Sequence, residues 1–189
     1  MVFLKKFQYN SPVVLTFALI SFLALLLGKL TNGWITYMFF STYSSSLLNP
    51  LTYIRLFGHV LGHSNLQHYT GNMVLILLLG PVLEEKYGSK NLLIMIAATA
   101  VVTSIIHNMF FSVGLLGASG IVFMMIILAS MASVKEGRIP LTLIVAIIVY
   151  IGDEIVTGLL TKDNISQLTH IIGGLCGIVY GKVFLPKGR

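Results

Sequence analysis

The sequence predicts an all-α, polytopic membrane protein: six transmembrane helices in one bundle, with a long first loop lying in the membrane interface. Three observations predict it. Only 10% of the 189 residues are charged and 56% are hydrophobic, whereas a soluble domain carries about 25% charged residues. So few charges do not cover a water-facing surface, and the mean hydropathy of +0.92 agrees. Six stretches are apolar and long enough, or nearly so, to cross a hydrocarbon core of ~30 Å, which takes about 20 helical residues. The basic residues also fall mostly on one side of those stretches, as topology determinants do.

This composition excludes a soluble enzyme, a nucleic-acid binder and a disordered chain. The net charge of +6 then marks membrane topology and not a nucleic-acid partner. The single cysteine, Cys176, excludes a disulfide framework and a multi-cysteine metal site.

The predicted spans cover residues 12–30, 66–84, 91–107, 117–134, 140–157 and 166–185. Lys5 and Lys6 precede the first, as in a signal peptide. No small-residue cleavage site follows it, so a retained signal-anchor helix is expected. There is no internal repeat, and residues 1–189 are read as one domain. With the N-terminus placed in the cytoplasm, Lys5, Lys6, Lys86, Lys90, Lys135, Arg138, Lys182, Lys187 and Arg189 lie inside. Only Lys29, Arg55 and Lys162 lie outside. Both termini are therefore expected in the cytoplasm.

Two connections stand out. The first outer loop, Thr31 to Asn65, carries Trp34, Tyr37, Phe39, Phe40, Tyr43, Tyr53 and Phe57. Aromatic side chains anchor at membrane interfaces, and loops of this length are commonly functional. The segment before Ser119 is apolar yet holds Gly114 and Gly117. Non-helical backbone at membrane depth must be buried in protein or face a water-filled cavity.

Polar side chains inside spans are functional candidates, and four stand out: His68, Asn72, Ser119 and His170. Their depths follow from the helical rise and the charges marking the inner boundary. Asn72 lies 12 residues from Glu84 and His68 lies 16, which is ~18 and ~24 Å. Ser119 lies 16 residues from Lys135, and His170 lies 12 from Lys182, again ~24 and ~18 Å. Three separate spans thus place polar groups in one layer above the midplane. His68 and Asn72, four apart, share a helix face and offer two donors. Gly173, Gly177 and Gly181 form a ridge that lets helix backbones approach closely. The fourth span begins Gly117-Ala118-Ser119-Gly120, also small. Packing the fourth span on the sixth would bring Ser119, a nucleophile, to His170, a base. Taken singly, each residue has a packing explanation, such as a serine bonding back to its own helix. Their conjunction at one depth favours chemistry.

These residues resemble the rhomboid intramembrane serine proteases, in the compact six-helix prokaryotic form. Gly117-Ala118-Ser119-Gly120 resembles the family's GxSG nucleophile motif. Thr169-His170-Ile171-Ile172-Gly173, with Gly177 following, resembles its AHxxGxxxG motif. His63, His68 and Asn72 fit the HxxxxHxxxN pattern, Glu84 and Gly88 an ExxxG turn, and Arg55 the first-loop arginine. Three positions depart from the family: Ile54 replaces an aromatic, which weakens the loop's interior anchoring. Thr169 replaces alanine before the histidine. Phe123 replaces a tyrosine that stacks on the histidine, which keeps the ring and loses the hydroxyl.

The resemblance implies an intramembrane serine endopeptidase that cleaves a peptide bond in or next to a substrate's transmembrane segment. Ser119 is expected as nucleophile and His170 as base, a dyad with no third acid. Asp153 and Glu154 are not aimed at His170 by any spacing. The resemblance puts His68, Asn72 and the Ser119 backbone N–H in the oxyanion hole, with Gly117, Gly120, Phe123, Gly173, Gly177 and Arg55 in support. No cofactor or metal is expected. The expected partners are single-pass or other transmembrane substrates and the lipid bilayer, and the expected location is a prokaryotic plasma membrane. The Gly ridge is used inside the bundle, so oligomeric state is left open. His59 and His63 are read as interfacial packing residues, with relay or loop support as the alternative. Ser64, Asn65, Gln67, Ser166 and Gln167 are placed at a hydrophilic mouth, and the loop 158–165 as a lid. A non-catalytic scaffold of the same fold typically lacks the Ser or the His, and both are present. A metal carrier built on His59, His63 and His68 lacks an acidic or thiol ligand beside them.

Overall fold

The structure, a computed structural model, describes residues 9–133, 141, 144, 145, 148 and 164–184. The helices are α1 (Pro12–Leu30), α2 (Trp34–Phe39), α3 (Pro50–Gly58), α4 (Leu66–Tyr87), α5 (Ser89–Phe110), α6 (Ser119–Ser133) and α7 (Asn164–Val183). A 3-10 turn, His59–Leu61, follows α3. No strand occurs among the described residues, and an antiparallel bridge joins Thr42 to Leu115. Among the described residues three helices, α1, α4 and α5, are long and apolar enough to cross a membrane. Of the fifth expected span, only residues 141, 144, 145 and 148 are described, and they are helical. Asp153, Glu154 and the expected lid loop, up to the first residues of α7, lie outside the described residues.

Burial explains the arrangement. In α1 the residues Val14, Phe17, Ala18, Ser21, Ala24 and Leu25 turn inward, while Leu19, Leu23, Leu26 and Leu27 stay exposed. Such an apolar outer face is what lipid requires. By contrast, residues 120–126 of α6 are all buried. This helix is surrounded, and Ile121, Met124, Met125 and Leu128 form the core with Ile76, Leu83, Leu92 and Met95.

The two helices that flank the turn at Gly88 begin and end through specific contacts. Gly88 has φ +85°, a conformation open to glycine, and its N–H closes α4 on the Glu84 carbonyl at 2.8 Å. In the sequence the charge of Glu84 marks the inner boundary of its span. The side chain is instead buried, and its two carboxylate oxygens accept the N–H groups of Val13 and Val14, each at 3.0 Å. Those amides belong to the first turn of α1, where orphan donors and the helix dipole favour an anion. The ExxxG turn therefore ties the end of α4 to the start of α1.

α7 lies along α6 through its glycines. A methyl group at 173 would overlap the Gly120 carbonyl oxygen. One at 177 would lie 2.7 Å from the Met124 carbonyl oxygen, and one at 181 would lie 2.6 Å from the Met131 sulfur. The ridge read from the sequence is thus an α6–α7 contact surface, with backbone against backbone at Gly173 and Gly177 and against the Met131 side chain at Gly181.

The first loop is partly helical and fastened inward. Trp34, Tyr37, Tyr53 and Phe57 are exposed, consistent with an interfacial position. Arg55 is buried; its Nε donates to the Met38 carbonyl at 3.0 Å and its guanidinium lies over the Tyr43 ring at 4.3 Å. A methyl at Gly58 or Gly62 would overlap the carbonyl oxygen of Phe39 or Phe40. Thr42 exchanges backbone hydrogen bonds with Leu115 and shares a side-chain bond of 2.6 Å with Ser104 on α5. Ile54 points outward, so the loop's hold on the interior does not pass through that position. The anchoring expected to be weakened there is carried by Arg55, Thr42 and the two glycines.

Candidate active site

Ser119 opens α6 and is half-buried. The turn before it depends on Gly117, whose φ of +124° is strained for any L side chain. Its N–H donates to the His59 carbonyl at 2.9 Å. A Cβ there would stand 2.7 Å from Cε1 and Nε2 of His68. The first Gly of the motif therefore does two things: it allows the backbone turn, and it makes room for an imidazole two residues from Ser119.

His68 lies in the first turn of α4. Asn65 caps that helix, its Oδ1 accepting from the His68 N–H at 2.8 Å. Asn65 Nδ2 donates to Ser64 Oγ at 3.4 Å, and Ser64 Oγ lies 3.2 Å from His68 Nδ1. The opposite edge of the imidazole, with Cε1 and Nε2, faces Gly117. Asn72, one turn further along, is buried and gives one Nδ2 proton to the His68 carbonyl at 3.2 Å. An amide has two such protons, so a second donor remains.

His170 lies on α7 and is 6% exposed. Its ring stacks on Phe123, with centroids 4.3 Å apart and planes at 13°. Phe123 lies one turn after Ser119 on the same helix. The methyl of Thr169 packs 3.2 Å from where a Cβ of Gly120 would be. The methyl this chain carries in place of alanine is thus accommodated by the glycine following the serine. Through Gly120, Phe123 and Gly173, the N-terminal turn of α6 holds α7 at the level of His170. Among the described residues the acids, Glu84 and Glu85, lie at the opposite end of α4.

The structure brings Gly117, Ser119 and His68 to one place, and Gly120, Phe123, His170 and Gly173 to the adjoining one. Asn72 lies on α4 below His68. Gly177 packs one turn further down, and Arg55 braces the loop without touching these groups. His59 and His63 are 1% and 2% exposed, more buried than an interfacial position implies. His59 bonds through Nδ1 to the Arg55 carbonyl at 3.3 Å and lies 3.5 Å from Thr103 Oγ1. His63 packs edge-on to His68 with centroids 5.1 Å apart. Burial pushes the pKa of His59 down to about 4, and burial together with neighbouring His68 does the same for His63. Both are neutral supports of the loop and the turn. Among the described residues no group of His, Cys, Asp or Glu is placed to hold a metal.

Sequence reading placed Ser64 only at a mouth and missed its bond to His68. It also missed the His59 carbonyl under Gly117, because any residue supplies a carbonyl and composition carries no sign of it.

The model of the rhomboid domain matches residues 50–187, roughly three-quarters of the chain. The chain belongs to the rhomboid family. No curated protein matches it. Membership implies proteolysis within the membrane and substrates that are themselves membrane proteins. Together with the apolar helices it marks an integral membrane protein.

Proposed function

We propose that this protein is a serine endopeptidase that hydrolyses a peptide bond in or next to a substrate's transmembrane segment. The observation that carries the reading is the passage of α7 over the first turn of α6, which stacks His170 on Phe123 one turn from Ser119. Ser119 Oγ attacks the scissile carbonyl while His170 takes its proton and then delivers it to the leaving amine. Water hydrolyses the acyl-enzyme by the reverse of these transfers. The Phe123 ring and the tight α6–α7 contact orient the imidazole. The oxyanion is met by His68 Nε2–H, the second Asn72 Nδ2–H and the Ser119 backbone N–H at the start of α6. Each such donor contributes about 3 kcal/mol to the transition state.

The reading extends to a six-span topology with both termini in the cytoplasm and a prokaryotic plasma membrane as location. The nine-to-three bias of basic residues supports that topology. A fluorophosphonate probe tests the nucleophile. The wild-type protein is expected to label at Ser119, and labelling is expected to vanish in Ser119→Ala and to fall steeply in His170→Ala. A folded wild-type protein that takes no label under conditions of turnover would favour a non-catalytic scaffold.

A further inference from the structure

His68 is met by its neighbours on two sides. Its ring packs edge-on to His63, with centroids 5.1 Å apart and planes at 71°. His63 in turn meets Tyr69 edge-on at 5.5 Å and 84°, and the Tyr69 hydroxyl donates to the Ala18 carbonyl of α1 at 3.1 Å. His63 Nδ1 lies 3.2 Å from the Leu61 carbonyl. A carbonyl only accepts, so that nitrogen donates and fixes the His63 ring. Three rings in series thus brace the plane of His68 against α1.

The second side is the Nδ1 edge of His68, which lies 3.2 Å from Ser64 Oγ. Ser64 Oγ also receives a bond from Asn65 Nδ2 at 3.4 Å. The helix cap sets the direction of that bond. Asn65 Oδ1 accepts the His68 N–H at 2.8 Å, which turns the NH2 group of Asn65, and not its oxygen, toward Ser64. His63 and Ser64 both line a cavity of about 430 Å3 between the end of α1 and α2. Water in such a cavity could meet Nδ1 as donor or as acceptor. A serine already accepting from Asn65 has a direction.

We propose that Ser64 is a positioning residue that holds His68 in the tautomer protonated at Nε2. The inference rests on the reading of His68 as an oxyanion donor. Bonds in a chain polarise one another, so a hydroxyl that accepts from an amide is the better donor. The proton of Ser64 therefore points to His68 Nδ1, Nδ1 accepts it, and the imidazole proton stands on Nε2. Nε2 is on the edge that faces Gly117, two residues before Ser119. The order Asn65, Ser64, His68 thus aims one N–H at the place where negative charge develops. His63 keeps the ring plane, and Ser64 chooses the nitrogen.

The test reads the tautomer directly. The full-length protein is labelled with 15N in its five histidines. Ring-nitrogen spectra are recorded in detergent at mildly alkaline pH, where imidazoles are neutral, and His68→Gln identifies the His68 signals. The wild type is expected to carry its His68 proton on Nε2. Ser64→Ala is expected to show both tautomers, with kcat lowered roughly three- to tenfold at unchanged KM, the scale of one hydrogen bond. Ser64→Thr keeps the hydroxyl and is expected to restore both the tautomer and the rate. A wild-type His68 protonated at Nδ1, or a tautomer unchanged in Ser64→Ala, would overturn the proposal. A tautomer that shifts in Ser64→Ala while turnover stays the same upholds the proposal and removes His68 from the oxyanion hole, so the two readings fail separately.

Discussion

The ring of Phe123 lies parallel to the imidazole of His170, with centroids 4.3 Å apart and planes at 13°. One residue belongs to the helix that Ser119 opens, and the other is the proposed base. The stack fixes the imidazole plane. Aromatic pairs of this kind are worth about 0.5–1.5 kcal/mol. Phe123→Leu is therefore expected to lower kcat roughly three- to tenfold, with little change in KM, whereas Phe123→Tyr keeps the ring and the rate. Steady-state kinetics on a labelled transmembrane substrate checks this, and equal rates for the Leu and Phe forms would remove the stack from the account.

The α6–α7 contact distinguishes neighbouring glycines. A methyl at 173 would overlap the Gly120 carbonyl, while one at 174 meets its nearest atom, Ile127 Cγ1, at an ordinary 3.7 Å. Gly173→Ala is expected to destabilise the protein by about 2 kcal/mol or more. Gly174→Ala is expected to be neutral or stabilising by up to ~1 kcal/mol, since alanine favours helix. Thermal unfolding in detergent ranks the two, and an equal effect of both substitutions would contradict the backbone contact.

Glu84 joins α4 to the first turn of α1 through two bonds of 3.0 Å made by a buried carboxylate. Hydrogen bonds to charged groups contribute about 1.5–3 kcal/mol. Glu84→Gln keeps one acceptor and sets an amide NH2 against a backbone N–H. It is expected to destabilise the fold by roughly 3 kcal/mol, read as a lowered unfolding midpoint. A midpoint equal to wild type would show that the clamp adds nothing.

His59 and His63 make stability depend on pH. Burial lowers both from 6.5 to about 4 in the folded protein. Between those values the unfolded chain binds more protons than the folded one. The stability is fully present above about pH 6.5 and is lost as the pH falls toward 4, by up to roughly 3 kcal/mol for each imidazole. Unfolding midpoints measured from pH 7 to 4 are expected to fall for the wild type. His59→Asn and His63→Gln are expected to flatten that slope, and an unchanged slope in both would contradict the assignment.

Much of this architecture was legible in the chain because membranes make local sequence informative. α1 coincides with an uninterrupted apolar run, and Gly117, Ser119, His170 and Gly173 stand out against an apolar background. α4 runs to Tyr87, three residues past the expected end, because Glu84 is not at a solvated edge but under α1. The short helices α2 and α3 were hidden among interfacial aromatics, and their fastening relies on carbonyls of Phe39 and Phe40 that any residue would supply. The burial of His59 and His63 follows from how the loop folds against α5, which no spacing encodes. The Ser64 bond to His68 depends on a side-chain rotamer outside the helix.

The most direct measurement compares cleavage of a labelled transmembrane substrate by wild-type protein, Ser119→Ala and His170→Ala, each checked for equal unfolding midpoints. Turnover is expected for the wild type, with a loss of at least about 10⁴-fold in both variants. Cleavage that persists in folded Ser119→Ala would contradict it.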